Sequence, residues 1–172
     1  MDYIIRKTEL SDVEHLPLVE RSAGSAFKSL PSLAWIADDS VMSVEEHKHL
    51  LAKGLSWIAL NSLSQTICGF INAEVIDGEF YVGEVSVSEA YQKKGIGSKL
   101  FETALTEAKS LGLSTATLTT FIDVPWNAPY YQRLGFVILT ADKLPQYLKR
   151  KLQEEKLAGL PLDLRCAMRK TL

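Results

Sequence analysis

The sequence predicts a mixed α/β domain, a sheet flanked by helices, and three observations carry that expectation. From Phe80 to Leu111 a β-type segment, a basic glycine turn and an amphipathic helix follow one another. Short polar turns join the strand-like stretches Ser56–Asn61 and 66–76 to each other and to that segment, which makes them hairpin partners. Beyond Leu111, strand-type and helix-type segments alternate to the C terminus.

The composition sets the class. A chain of 172 residues, 47% apolar and 23% charged, can bury a substantial core as one domain, residues 1–172. A net charge of −2 without a basic field argues against a nucleic-acid surface. Cys68 and Cys166 stand in apolar, strand-like surroundings with no C-x-x-C spacing, so buried thiols are expected rather than a disulfide. The opening M-D-Y-I-I-R-K lacks the apolar run of a signal peptide, and nothing later reaches the length of a membrane span. A cytoplasmic location without a membrane partner is the expectation.

Taken in order, Tyr3–Lys7 reads as a first strand, and Ser11 with Glu14 supplies an S-x-x-E capping box for a helix carrying Val13, Leu16, Val19 and Ala23. Residues 24–40 read as irregular, with Pro31, Trp35 and the Asp38-Asp39 pair. A second capping box, Ser43 to Glu46, opens a helix that ends near Gly54. Two strands follow across the Ser62–Gln65 turn, and Asp77-Gly78 is a tight hairpin signal. After the glycine turn, Leu100, Phe101, Ala104, Leu105, Ala108 and Leu111 form one apolar helix face that Gly112 stops. Residues 115–122 read as a strand broken by Pro125-Trp126-Asn127. Asn127 can cap a short helix with Pro129 in its first turn, ending at Gly135. Residues 136–139 are a strand, 143–157 a surface helix, and 165–172 a closing strand.

The glycine turn suits a diphosphate. Gly95 and Gly97 lack the Cβ atoms that would hold a ligand off the backbone, and the first-turn N–H groups of the following helix have no partner inside it. Lys93, Lys94 and Lys99 add positive charge to that of the helix dipole. The spacing fits neither G-x-x-x-x-G-K-[ST] nor G-x-G-x-x-G, because Leu100 stands where the latter needs glycine. What it does carry is Q-x-x-G-x-G, Gln92 to Gly97. About thirty residues later comes Tyr130-Tyr131-Gln132-Arg133-Leu134-Gly135-Phe136. Together, in this order, the two patterns resemble the coenzyme A loop and the Y-x-x-L-G-F helix of the GNAT superfamily, the acetyl-CoA-dependent N-acetyltransferases. The element order is similar over nearly the whole chain, with an extra helix before the last strand. The resemblance implies a GNAT fold: a central mixed, mostly antiparallel sheet, splayed between its fourth and fifth strands and flanked by helices.

It also implies roles for residues. Coenzyme A would be held by Gln92, Lys93, Lys94, Gly95, Ile96, Gly97 and Ser98, with Asn127 as a further contact or a helix cap. Backbone N–H groups near Val85 and Val87, whose side chains are expected in the core, would face the pantetheine and the thioester carbonyl. Tyr131, four residues before Gly135, would reach the thioester sulfur. Tyr130 points elsewhere on the helix and packs.

The chemistry gives these roles a scale. Deprotonating an alkyl ammonium of pKa about 10.4 at pH 7 costs roughly 4 kcal/mol, so a base is valuable. Glu84, in the middle of the strand before the loop, is the candidate, acting through water, with a pKa best raised above the ordinary ~4.3 of a glutamate. The other reading has Glu84 only anchor the acceptor's positive charge or be structurally paired. A phenol of pKa about 10 beside a thiol of about 8.5 is a reluctant donor by about 2 kcal/mol, so Tyr131 can either protonate the sulfur or hydrogen-bond it. Neither cysteine lies in the expected centre, which favours direct attack in a ternary complex.

No metal is expected: His47 and His49, two apart, share no helix face, no further ligand spacing completes a site, and His15 reads as a surface side chain. A serine-hydrolase elbow is absent from the sequence. Trp35–Asp39 and Asp123–Trp126 flank the expected acceptor mouth. The acceptor is expected to be a small-molecule primary amine. A protein N-terminus or lysine, and a coenzyme A-binding module without turnover, are the alternatives. Oligomeric state stays open, a homodimer included.

Overall fold

The computed structural model of the protein describes residues 3–172; Met1 and Asp2, which begin the segment read above for a signal peptide, lie outside them. Seven strands are present among the described residues: β1 (Tyr3–Lys7), β2 (Ser56–Asn61), β3 (Ile67–Ile76), β4 (Glu79–Val87), β5 (Thr115–Phe121), β6 (Val137–Ile138) and β7 (Arg165–Thr171). Their order in one mixed sheet is β1-β2-β3-β4-β5-β7-β6, with β4 and β5 parallel. The α-helices are α1 (Leu16–Gly24), α2 (Val44–Ala52), α3 (Ile96–Ser110), α4 (Ala128–Arg133) and α5 (Gln146–Leu157). Among the described residues no helix is long and apolar enough to cross a membrane. The chain divides into two compact units, Met1–Glu74 with Glu84–Thr106, and Val75–Gly83 with Glu107–Leu172.

In the first unit β1 runs antiparallel to β2 from Tyr3↔Asn61 to Lys7↔Trp57, and β2 runs antiparallel to β3 with a register shift between Ala59 and Leu60. Every residue of β2 is buried. Val13, Leu16 and Val19 close over Ile58, Leu60, Ile67 and Phe70 to make its core. The approach to α1 differs from the Ser11–Glu14 box read from sequence. Leu10–His15 is a 3-10 helix, and the Glu9 N–H donates to Asp12 Oδ2 at 2.7 Å. Arg6 of β1 grips the same carboxylate with both terminal nitrogens, at 2.7 and 3.0 Å, so an ion pair to the preceding strand selects Asp12 over Glu14. α1 begins only where Pro17 can occupy its first turn. The second box forms as read: Ser43 Oγ accepts from the Glu46 N–H at 3.2 Å, and Glu46 Oε2 accepts from the Ser43 N–H at 2.7 Å. The irregular stretch after α1 holds two 3-10 helices, Ser25–Ser29 and Ala34–Asp38. On β3, a Cβ placed on Gly69 would stand 2.7 Å from the Ser86 carbonyl oxygen of β4.

In the second unit Asp77 and Gly78 turn the chain with φ of 51° and 79°. The parallel register of β4 on β5 consists of Phe80↔Ala116 and Tyr81↔Thr117, while β5 and β7 pair along their length from Thr115↔Thr171 to Phe121↔Arg165. Helix α5 lays Tyr147, Leu148 and Leu152 against Tyr81 and Ala167. Beneath it Glu79 accepts from Tyr147 Oη at 2.7 Å, Arg169 Nη2 at 3.0 Å and Thr115 Oγ1 at 3.0 Å. Burial opposes the Glu79 charge, yet these partners, Arg169 first, hold its carboxyl below the ordinary value; burial pushes the Tyr147 phenol up. α5 starts at Gln146 rather than 143 because Pro145 excludes helix from the residue before it, leaving a 3-10 turn at Ala141–Lys143.

α3 ends in a left-handed Gly112, with the Leu113 N–H donating to Ala108 and the Gly112 N–H to Lys109. Ile96, Leu100, Phe101, Ala104, Leu105 and Ala108 are buried along it, but Leu111 lies past its end and is half exposed. Cys68 and Cys166 are free and buried, as their sequence surroundings predict.

Candidate active site

β4 changes character along its length. Phe80, Tyr81 and Val82 are fully buried, Gly83 is exposed, and Glu84 and Val85 are half-buried. Val85 and Val87 are therefore not the core residues expected from sequence: the strand leaves the packed interior at Gly83, and only Ser86 is buried again before the loop. Glu84 and Ser86 stand two apart on one face of the strand, and Ser86 Oγ donates to Glu84 Oε1 at 2.8 Å. Sequence reasoning missed Ser86, although its spacing from Glu84 was the signal. The carboxylate thus has a fixed orientation on a strand.

The loop after β4 presents its amides. The Tyr91 and Gln92 N–H groups close a 3-10 turn onto Ser88 and Glu89 at 2.8 and 3.2 Å. The first internal bond of α3 runs from the Lys99 N–H to the Gly95 carbonyl at 3.1 Å. Between them, among the described residues, the N–H groups of Lys93, Lys94, Gly95, Ile96 and Gly97 have no backbone acceptor. Lys93 at φ 59° and Gly95 at φ 80° make the left-handed bends that expose them, and a Cβ built on Gly95 would meet nothing within 4 Å. No acidic residue stands in the first turn of α3. Exposed lysines, bare amides and open space over Gly95 fit a diphosphate. Lys94 Nζ bonds the Ala90 carbonyl at 2.5 Å, and Lys99 pairs with Glu102 at 2.7 Å. Gln92 is otherwise engaged: its Nε2 donates to the Val87 carbonyl at 3.0 Å and to the Ala23 carbonyl at 3.4 Å.

The segment expected at the acceptor mouth is held by α1. Arg21 Nη1 donates to the Ala37 carbonyl at 3.2 Å and to the Asp39 carbonyl, and Trp35 and Asp38 are exposed. Glu20 Oε2 accepts from the Met42 N–H at 3.0 Å, and burial pushes its carboxyl above the ordinary value.

In the second unit the Y-x-x-L-G-F segment has a full geometric account. Gly135 sits at φ 90°, the Phe136 N–H donates to Tyr131 at 3.0 Å and the Gly135 N–H to Gln132 at 3.0 Å, a Schellman cap on α4. Phe136 meets the Tyr131 ring edge-on at 6.2 Å, and Lys170 Nζ donates to the Leu134 carbonyl at 2.5 Å. Tyr131 is buried, while Tyr130 is half-buried under Arg133. Asn127 occupies the N-cap position of α4 without capping it; its Oδ1 accepts from the Phe121 N–H at 3.4 Å, joining the end of β5 to the start of α4.

Among the described residues no group of three His, Cys, Asp or Glu side chains gathers to hold a metal ion. His49 and His15 are exposed, but His47 is buried, its ring edge-on to Phe70 at 5.1 Å and its Nε2 without a partner among the described residues. Burial pushes its pKa down. The Val44, His47, Leu51 spacing carried that signal in the sequence.

Comparison with known proteins extends the geometry. The family model described as the acetyltransferase (GNAT) family matches residues 25–136. The fold is similar to that of a PaiA N-acetyltransferase from Thermoplasma acidophilum in complex with coenzyme A (19% identity, 100% of both chains covered, TM-score 0.72). It is also similar to the ribosomal-protein-S18-alanine N-acetyltransferase from Escherichia coli (17% identity, 99% of this chain and 94% of that one, TM-score 0.68). A third similar structure is N-acetylglutamate synthase from Neisseria gonorrhoeae with coenzyme A and N-acetyl-glutamate (15% identity, 100% of this chain and 35% of that one, TM-score 0.72).

Proposed function

Because the chain belongs to the acetyltransferase (GNAT) family, we propose that it moves acetyl from acetyl-CoA to a primary amine of a small molecule, by direct attack in a ternary complex and without a metal. The observation that carries this reading is the run of amides from Lys93 to Gly97, without backbone acceptors among the described residues, at the mouth of α3, directly following a strand that bears an oriented carboxylate, Glu84.

In this reading the loop amides, with Lys93, Lys94 and Ser98, bind the diphosphate, and Asn127 is a further coenzyme contact. Backbone N–H groups near Val85 and Val87 meet the thioester carbonyl, where negative charge gathers as the amine nitrogen adds to carbon. Glu84 takes the ammonium proton through a water molecule, so that the nitrogen lone pair is free to attack. As the new C–N bond forms and the C–S bond breaks, Tyr131 hydrogen-bonds or protonates the departing sulfur. Direct attack is supported by the state of the two thiols: burial raises both, Cys166 to about 11, which leaves little thiolate for a covalent intermediate.

A protein acceptor is the second reading, favoured by the similarity to an enzyme that acetylates ribosomal protein S18. The test is thiol release from acetyl-CoA with a panel of small amines beside a panel of peptides. Faster turnover of small amines supports the first reading, and strong preference for peptides supports the second. Tight coenzyme A binding without amine-dependent release in either panel would leave a binding module.

A further inference from the structure

The loop that follows β4 and the C-terminal end of α1 complete each other's hydrogen bonding. The last carbonyls of α1 need donors from outside the helix, and the first amides of the Glu89–Tyr91 3-10 turn need acceptors. Ser22 Oγ, on α1, accepts from the Glu89 N–H at 3.1 Å. In return Gln92, at the far end of the same turn, donates through Nε2 to the Ala23 carbonyl at 3.4 Å while its other bond holds the Val87 carbonyl at 3.0 Å. The turn's own N–H groups at Tyr91 and Gln92 are satisfied inside it, so these side-chain bonds are what ties it to α1. From Gly24 the chain runs directly into the Ser25–Ser29 helix, where Ser25 Oγ bonds back to the Ser22 carbonyl at 2.8 Å. Ser22 therefore faces two ways: its hydroxyl toward the loop and its carbonyl toward the segment after α1.

We infer that Ser22 and Gln92 are positioning residues that couple coenzyme binding at 93–98 to the order of residues 22–29, the entry to the segment expected to receive the amine. Neither side chain has to touch the acetyl group for this. A ligand that fixes the loop fixes the Glu89 amide and the Gln92 carboxamide, and these fix the end of α1. By linkage, whatever orders residues 22–29 also tightens the loop's hold on the coenzyme. The inference rests on the assignment of the loop as the coenzyme site.

Hydrogen exchange on the full chain, with and without coenzyme A, separates the two. In the wild type, coenzyme A protects amides at 93–98 and also at 22–29. In Ser22→Ala, and more fully in Ser22→Ala with Gln92→Leu, protection at 93–98 persists while that at 22–29 is lost. Ser22→Thr, which keeps the hydroxyl, restores it. Coenzyme A affinity falls by about two- to tenfold in Ser22→Ala, the factor that one protein hydrogen bond represents. A cooperative thermal unfolding transition in each free variant, lowered by no more than the lost hydrogen bonds account for, shows that they fold. Protection at 93–98 without any at 22–29, or protection at 22–29 that survives the double substitution, overturns the coupling and leaves the loop assignment standing. No protection at 93–98 in the wild type overturns both.

Discussion

The Phe136 N–H donates to the Tyr131 carbonyl at 3.0 Å while the two rings meet edge-on at 6.2 Å, so the residue proposed to serve the leaving sulfur is also the anchor of a helix cap. That cap needs Gly135 at φ 90°. Gly135→Ala should cost about 1–2 kcal/mol for the left-handed conformation and displace the Lys170 ammonium that a Cβ would meet at 3.3 Å. Urea unfolding measures the loss; an unchanged midpoint would mean that the cap does not bear on stability.

Glu84→Gln should reduce kcat/KM by about a hundredfold at pH 7, with the deficit greatest on the acid side, where proton removal is hardest. Ser86→Ala, which removes the hydrogen bond to Glu84 Oε1, should cost about tenfold, the worth of one hydrogen bond to a charged group at its weaker end. A Glu84→Gln profile parallel to wild type across pH would assign Glu84 to charge anchoring instead.

A bulky residue at Gly97, such as isoleucine, should weaken coenzyme A binding by at least tenfold without unfolding the chain, because the backbone there has to approach phosphate oxygens. Calorimetry on the folded variant reads this directly. Undiminished affinity would remove the loop from the coenzyme site.

His47 is held neutral by burial, its pKa below the ordinary 6.5. The unfolded chain then binds the proton more readily than the folded one, so the contribution is fully present above pH 6.5 and is lost as pH falls through the folded pKa. Denaturant midpoints should therefore decline from pH 7 to pH 5 in the wild type and stay flatter in His47→Leu. Equal declines in both would assign the acid sensitivity to other groups.

Glu79 titrates lower, and the sign is worked the same way. Its carboxyl lies below the ordinary 4.5, so its contribution is present above that value and disappears as pH drops further. Glu79→Gln should be less stable than wild type by about 1–3 kcal/mol at pH 7, and the gap should narrow as pH falls below 4.5. A gap that persists in acid would point to packing rather than charge.

Local signals were legible where the chain itself supplies the partner. The Ser43–Glu46 box, the Asp77-Gly78 turn and the Gly112 stop are satisfied within a few residues, and each lies where the sequence places it. The start of α1 was not legible in the same way, because Arg6, on the strand just before it, decides between two overlapping acidic candidates. β6 spans Val137–Ile138 rather than 136–139 because Phe136 is consumed by the α4 cap.

In the candidate site, the motifs could be read, but the hydrogen-bond partners of their residues could not. Gln92 belongs to the pattern read as the coenzyme loop, and in the fold its Nε2 also straps that loop to the Val87 and Ala23 carbonyls, which are set by the path of the backbone. Ser86 and Ser22 carry no motif. Their roles follow from which face of a strand or helix a neighbouring amide or carboxylate happens to meet.

Gly69 bears on the same carboxylate from outside any motif. A methyl group there would collide with the Ser86 carbonyl at 2.7 Å and crowd Val87. Since Ser86 holds Glu84 in place, the chemistry proposed for β4 depends on an atom that β3 omits. Gly69→Ala would thus act as an active-site substitution made from the next strand, moving the floor beneath the base while leaving every reacting group unchanged.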